Sequence, residues 1–541
     1  MNKQKLFSCC AILACTWIIV TWDTPLKTLW PVIVALFFVV VTRKAIWGLL
    51  AGALAGSLIL SGGNPWQAFV HLFTLHLEPS LKSSWKMGAI LFTLILGGFA
   101  AILDGGGGFQ TILRFFLRKG GDASKRFQAA AAGLGILCFF DGLANSMMVG
   151  RVCKEMAPKC GVSRVKLAYI VDSTSSAVAC LAFVSTWVAY QLSMIREGYE
   201  LAGRQINPYI VFLKSIPFNF YCWFTLALLF VSIFRKFNPG SMKTFEDSNS
   251  APEATFIQSI EDDQETRVGL HTVIIPVFIL IISFLLGFYF LGCSESLWPV
   301  TLRKIAAAFG SDAGPLVLTL SGLFASVIAI SVYPSRGPNR ILEGLISFKR
   351  GVQSLIGPVF ILLSAWMIGS VLSALETAQF LSSLITGTNA SVLIPSLIFI
   401  TGSLISFSTG TSWGTMGILF PLAIPIAAAA CQTMAPHLQE SYLLIAVAAV
   451  FSGAVFGDHC SPFSDTTIVS SISCGVEPHD HIRTQIPFAL ITAAVAIIFG
   501  FLPAGLGISP FFLLFSGTVF LIFLPSVLNR FKKNKVKRYP I

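Results

Sequence analysis

The chain has 541 residues, 55% of them hydrophobic and only 11% charged, with a mean hydropathy of +0.78. That balance excludes a water-soluble fold and predicts an all-α polytopic membrane protein. The formal charge of +12, from 37 Lys and Arg against 25 Asp and Glu, lies in short segments between apolar runs, where it orients a membrane chain and does not mark a nucleic-acid surface.

Apolar runs at about 8–22, 28–42, 45–62 and 87–103 predict four crossings. Lys3 and Lys5 ahead of the first could open a signal peptide, but no small-x-small cleavage pattern follows, so residues 1–27 are expected to hold the first transmembrane helix. Arg43 and Lys44 after the second run, and Arg114, Arg118, Lys119, Lys125 and Arg126 after the fourth, are placed in the cytoplasm, which puts the N-terminus inside. The run at 127–150 is followed by Arg151, Lys154, Lys159, Arg164 and Lys166. Both of its flanks ask for the cytoplasm, so a re-entrant hairpin is expected there, with Asp141, Gly142 and Asn145 at a polar tip.

Crossings at about 167–192 and 208–234 lead to a cytoplasmic linker over 235–269. Further crossings at 270–292 and 314–333 precede a basic loop with Arg336, Arg340, Lys349 and Arg350, and another crossing spans 352–375. From 351 to 482 there is no Lys or Arg, so the loops of that stretch should face outward. Within it, runs at 391–407 and 416–430 flank STGTSWGT, which predicts a second hairpin over 391–430 with Ser408, Thr409, Thr411 and Ser412 at its tip. Crossings at 441–472, 486–506 and 508–529 end in the basic tail RFKKNKVKR. The expected total is about 12 transmembrane helices and two hairpins, with both termini cytoplasmic.

Residues 28–234 and 270–506 each hold five crossings and one hairpin, and an odd count turns the second unit upside down. This predicts an inverted repeat, followed by a last helix and tail over 507–541. VDSTSSAV at 171–178 and SDTTIVSS at 464–471 take equivalent places after the two hairpins. Amphipathic pieces at 109–118 and 377–388 are expected along the membrane interfaces.

Asp141, Asp172, Asp458 and Asp465 fall at predicted mid-membrane depth, where each charge costs about 2.5–3.5 kcal/mol. They are therefore expected to line a polar cavity and to meet a mobile cation. GDHCSPFSDTT at 457–467 is interrupted by Gly457 and Pro462, which would free carbonyl oxygens, while Ser461, Ser464, Thr466 and Thr467 add hydroxyls. Asn145, Ser146 and Thr174 supply oxygens in the first half. Burial opposes the charged form of a carboxylate and a bound cation favours it, so one site can hold a proton or a sodium ion. If only the occupied forms change sides, exchange is obligatory, and Asp172→Asn or Asp465→Asn should abolish it. The plainer role for these aspartates is capping at helix breaks.

FDGLANSMMVG at 140–150, KLAYIVDSTSSAVACLAFVSTW at 166–187, STGTSWGTMGILFPLAIPIA at 408–427 and GAVFGDHCSPFSDTTIVSS at 453–471 resemble the NhaC-type sodium/proton antiporters. The resemblance spans about 87–506. It implies the ion transporter superfamily fold, with a scaffold that usually forms a homodimer and a transport domain built from two hairpins and two broken helices. At the first tip the family pattern has two adjacent acidic residues; here Gly142 follows Asp141, which bears on cation stoichiometry. Some relatives resemble exchangers of malate for lactate, or amino-acid carriers.

Other features take plainer readings. The 12 cysteines lie mostly in apolar runs without disulfide or zinc spacing. His459 and Cys460 lack a spaced metal-ligand set, and His479 and His481 are expected in a cytoplasmic loop. DGGGG at 104–108 lacks a Gly-Lys-Ser/Thr ending and is a helix exit. Trp187 and Trp413 fit packing as well as gating. The sequence thus predicts a sodium/proton antiporter of a bacterial-type inner membrane, with no cofactor beyond the transported Na+ and H+. The alternative is a sodium- or proton-coupled carrier of a small carboxylate or an amino acid. The absence of basic residues over 351–482 favours a cation as substrate, and no nucleophile pair or HExxH motif suggests an enzyme.

Overall fold

The structure, a computed structural model, describes residues 3–21, 24–117, 122–249, 268–334, 339–385 and 389–538. Arg118, Lys119, Arg336 and residues 250–267 of the expected linker lie outside them. Every assigned element among the described residues is helical. By length and composition nine of these helices can cross a membrane, or up to 12 if each of three bent pairs is one span.

The first half opens with α1 (Lys3–Val20), α2 (Trp30–Thr42) and α3 (Ala45–Leu60). The helical stretch Pro65–Lys82 then folds back at 119° to α3, a turn that hydropathy alone does not mark. After α4 (Ser84–Gly105) comes α5 (Gly108–Leu117), at the expected amphipathic piece. The 127–150 region forms α6 (Ala123–Leu137) and α7 (Gly142–Cys153) with a turn between them. At 1.5 Å per residue α7 is about 18 Å long, well short of a hydrocarbon core of about 30 Å.

Two stretches read as continuous crossings are broken. α8 (Arg164–Leu181) and α9 (Thr186–Leu201) meet at 48°. No Gly or Pro marks this break; Ser185 makes it, its Oγ accepting from the Val188 N–H at 3.3 Å and donating to the Ala179 carbonyl at 2.8 Å. α10 (Pro208–Ser215), extended by a 3-10 turn to Phe218, and α11 (Phe220–Phe234) meet at 45°, where Pro217 withdraws a backbone donor.

The second half contains α12 (His271–Gly292), α13 (Gly314–Ser331), α14 (Arg340–Ser354), α15 (Ile356–Ala374) and the amphipathic α16 (Thr377–Ile385). The segment with Arg340, Lys349 and Arg350, expected as a loop, is the helix α14. α17 (Ile394–Thr409) and α18 (Ser412–Ala430) flank the second polar tip, and α19 (Pro436–Cys460) is separated from α20 (Asp465–Cys474) by a break at Pro462. α21 (Pro478–Val495) and α22 (Pro510–Arg538) close the chain.

Small residues bring the functional helices together. A Cβ on Gly453 of α19 would lie 2.8 Å from the Phe399 carbonyl and 3.0 Å from Gly402 of α17, so the two backbones touch. One turn on, the Ser406 hydroxyl donates to the Ala454 carbonyl at 2.6 Å beside Gly457. Gly457 therefore serves helix packing and not the break assigned to it from sequence. α7 packs against both α8 and α20, which interlocks the two halves. α8 buries every side chain from Val165 to Cys180, including Lys166, Asp172 and four serine or threonine hydroxyls. A membrane helix so enclosed and so polar marks a functional centre.

Candidate functional site

The two turns and the two breaks converge. At the first turn Asp141 caps α7, its Oδ1 accepting from the Ala144 N–H at 2.6 Å. Its Oδ2 accepts from the Thr186 hydroxyl at 2.8 Å, and the Thr186 N–H donates to the Phe140 carbonyl at 2.9 Å. The turn is thereby pinned to the break between α8 and α9. At the second turn Thr411 caps α18, accepting from the Gly414 N–H at 3.2 Å. Gly410 takes φ +67°, and a Cβ there would lie 2.5 Å from the Phe463 carbonyl carbon, so only glycine lets this turn press on the α19–α20 break. Ser461 fastens the same contact by donating to the Phe407 carbonyl at 2.7 Å.

Asp141, Thr186, Thr411, Asp458, Asp465 and Thr466 face one cavity of about 80 Å3, together with Ser412, Trp187 and Trp413, and the first turns of α15 form its far wall. Drug-sized ligands need about 300–1,000 Å3. This space suits a small ion with a few waters. Asp458 is its central carboxylate. It is 3% exposed, its Oδ1 accepts from the Ser464 hydroxyl at 3.4 Å, and its Oδ2 finds no hydrogen-bond partner among the described residues. Ser176 and Ser412 lie beside it. Its own carbonyl accepts from the hydroxyls of Thr466, at 3.3 Å, and Thr467. Off the cavity lining, Asn145 Oδ1, Ser176 Oγ and Thr409 Oγ1 are also buried without a partner among the described residues. Each such oxygen costs about 1–3 kcal/mol unless something occupies it, and a desolvated hard cation takes oxygen ligands of this kind. Among the described residues no three His, Cys, Asp or Glu side chains converge on one point. A cation here would meet the carboxylates of Asp458 and Asp141 together with neutral hydroxyl oxygens.

Asp172 is set behind this cavity. It is fully buried, with Oδ1 accepting from the Ser470 hydroxyl at 3.3 Å and Oδ2 lying 3.3 Å from His481 Nε2. Ser470 also reaches the Ser146 hydroxyl at 3.1 Å, so residues from α7, α8, α20 and α21 meet. The cytoplasmic-loop expectation for His481 is corrected: it lies in the first turn of α21 with no exposed surface. His481, Thr484 and Gln485 form an i, i+3, i+4 polar stripe along α21, and the fold buries all three. His459 is buried as well, 3.1 Å from the Tyr221 hydroxyl and within electrostatic reach of Asp172 and His481.

The remaining residues divide. Asn145 is buried beside Asp172's helix, its Nδ2 donating to the carbonyls of Gly135 at 2.6 Å and Thr174 at 3.1 Å. The Thr174 hydroxyl is spent on its own helix, donating to Ile170. Asp465 is exposed on the cavity wall and not deeply buried, because the break turns the first residue of α20 toward the opening. Ser408 is exposed and does not face the cavity. None of the four aspartates has a Lys or Arg ion pair among the described residues.

The Na+/H+ antiporter family matches residues 178–503. An uncharacterised protein of Haemophilus influenzae is 31% identical over 485 residues, covering 88% of this chain and 90% of its own. The malate-2H(+)/Na(+)-lactate antiporter of Bacillus subtilis is 32% identical over 173 residues, 31% of this chain and 33% of its own. Among solved structures, the YdaH transporter of Alcanivorax borkumensis superposes with a TM-score of 0.54 at 12% identity, covering 85% of this chain and 89% of that one. This last likeness is one of fold.

Proposed function

Because the chain belongs to the Na+/H+ antiporter family and is a multi-pass membrane transporter, we propose that it exchanges sodium for protons by alternating access. The observation that carries this reading is Asp458, a buried carboxylate with one bare oxygen in a ring of hydroxyls, facing a cavity of ion size. A bare charge there is too costly to move across the bilayer, whereas a sodium ion or a proton neutralises it. Ser412, Thr466 and the Asp141 carboxylate are its companions, and Asp465 at the opening collects the cation. Asp172, with the ionisable His481 against it, takes the proton side of the cycle.

The same reading places the two turn-and-break units in an inverted repeat, with both termini in the cytoplasm of a bacterial-type inner membrane. A coupled carrier of a small carboxylate is the second reading, prompted by the Bacillus subtilis relative's name. The volume of the aspartate cavity disfavours it at that site. The test is the full-length chain in proteoliposomes loaded with a pH dye. Sodium should drive proton movement and Asp458→Asn should abolish it. Proton movement driven by malate, lactate or an amino acid and not by sodium, lithium or potassium would overturn the proposal.

A further inference from the structure

A second cavity, of about 630 Å3, lies at the other end of α9 and α15. On α9, Thr186 lines the aspartate cavity and Glu197 lines this one, about 16 Å further along at the helical rise. On α15, Ile361 lines the first and Gly369 the second. Between them Tyr190 stacks on Trp413 at 4.5 Å and donates its hydroxyl to the Trp413 carbonyl at 2.5 Å. Trp366 donates to the Ser193 hydroxyl at 2.5 Å in the same layer. The two cavities are separate chambers.

Lys86 and Glu197 both face the second chamber without forming an ion pair with each other among the described residues. Arg196 and Glu200 are already paired, Nε to Oε1 at 2.8 Å. Lys86 Nζ instead donates to the Ser80 hydroxyl at 2.9 Å and stands 5.0 Å from the Trp366 ring. Glu197 is 8% exposed, and its Oε2 has no hydrogen-bond partner among the described residues. Its other oxygen fills the space over Gly369, where a Cβ would come within 1.3 Å of it. Lys86 acts on Glu197 electrostatically, yet the two form no ion pair among the described residues.

We infer that this chamber binds a small zwitterion of the amino-acid class, its carboxylate at Lys86 and its ammonium group at Glu197. A buried carboxylate without a partner is costly, and a ligand carrying both signs would give Glu197 its partner while meeting the half-buried Lys86 ammonium. A dicarboxylate would set a negative group against Glu197, and a diamine would set a positive one against Lys86 and Arg196. The volume lies within the range of small-molecule sites, unlike that of the aspartate cavity. This assignment goes beyond sodium/proton exchange and stands or falls separately from it.

The test is equilibrium binding of radiolabelled glycine, alanine, serine, leucine and phenylalanine to the purified full-length chain in nanodiscs, with malate and putrescine as competitors. At least one amino acid should bind saturably, and Lys86→Gln and Glu197→Gln should each weaken it at least tenfold. Neither competitor should displace it. Ser373→Leu, which fills the chamber at an exposed position without touching a charge, should also block binding, and it covers the case in which a charge variant fails to fold. Binding by none of the amino acids, displacement by malate or putrescine, or wild-type binding in the folded variants would each overturn the inference. Sodium-driven proton movement, read in parallel on the same variants, should stay at the wild-type level, so failure here is distinguishable from failure of the exchange reading.

Discussion

His481 Nε2 lies 3.3 Å from Asp172 Oδ2 with both side chains fully buried. The contact joins α21 to α8 across the two halves of the chain and sets a nitrogen of the His481 ring against one oxygen of the Asp172 carboxylate. His481→Gln should retain the fold, since glutamine can still donate to the carboxylate. It should change the pH profile of sodium-driven proton movement, because glutamine puts no proton-exchanging ring against the Asp172 carboxylate. An unchanged profile in everted vesicles would remove His481 from the proton side of the cycle.

Asp458→Asn should reduce exchange at least a hundredfold while leaving the melting temperature equal to or above that of the wild type. The reason is that the bare Oδ2 contributes no hydrogen bond to the fold, and burying an amide is less costly than burying a charge. Thermal unfolding in detergent alongside vesicle transport checks both halves of the expectation.

Asp141 separates capping from ion binding. Asparagine caps a helix about as well as aspartate, whereas alanine loses about 1 kcal/mol. Asp141→Asn should therefore keep stability and still lose exchange, and Asp141→Ala should lose both. Full exchange in Asp141→Asn would reduce this residue to a cap whose Oδ1 holds the Ala144 N–H.

Asp465 is exposed on the cavity wall, so its contribution is to draw the cation in. Asp465→Asn should raise the sodium concentration for half-maximal exchange several-fold and leave the maximal rate within about twofold. A collapse of the maximal rate would instead place Asp465 among the ligands of the transported ion.

Gly410→Ala combines a left-handed backbone with a contact of 2.5 Å to Phe463. It should destabilise the protein by more than about 1 kcal/mol and part the second turn from the α19–α20 break. The measurable result is a lower melting temperature together with reduced exchange.

The linear pattern was informative wherever one residue type has a single physical use. Long apolar runs belong in the bilayer, Pro462 interrupts a helix, and aspartates within such runs have to find a cavity; Asp141, Asp458, Asp465, Thr411, Ser412 and Thr466, all picked from the linear pattern, line one cavity. The amphipathic α5 and α16 were legible for the same reason, through their 3.6-residue period. The break before Thr186 was not, because serine is common in membrane helices and only its bonds to Val188 and Ala179 reveal the cap. Ser408 stands at the tip yet faces away from the cavity, because a polar string at a turn does not say which hydroxyls face inward.

From its residues alone this chain determined that it is a helical protein of a bilayer and that acidic groups interrupt its apolar runs. Composition and period set those properties one residue at a time, through the cost of placing charge and unpaired backbone in hydrocarbon. Tertiary structure alone decided that Asp172 faces His481 309 positions away in the sequence, that Asp458 keeps a bare oxygen, and that Lys86 and Glu197 share a chamber. Those relations depend on which helices approach, and close packing at Gly453, Gly150 and Gly410 sets that approach between segments far apart in the chain.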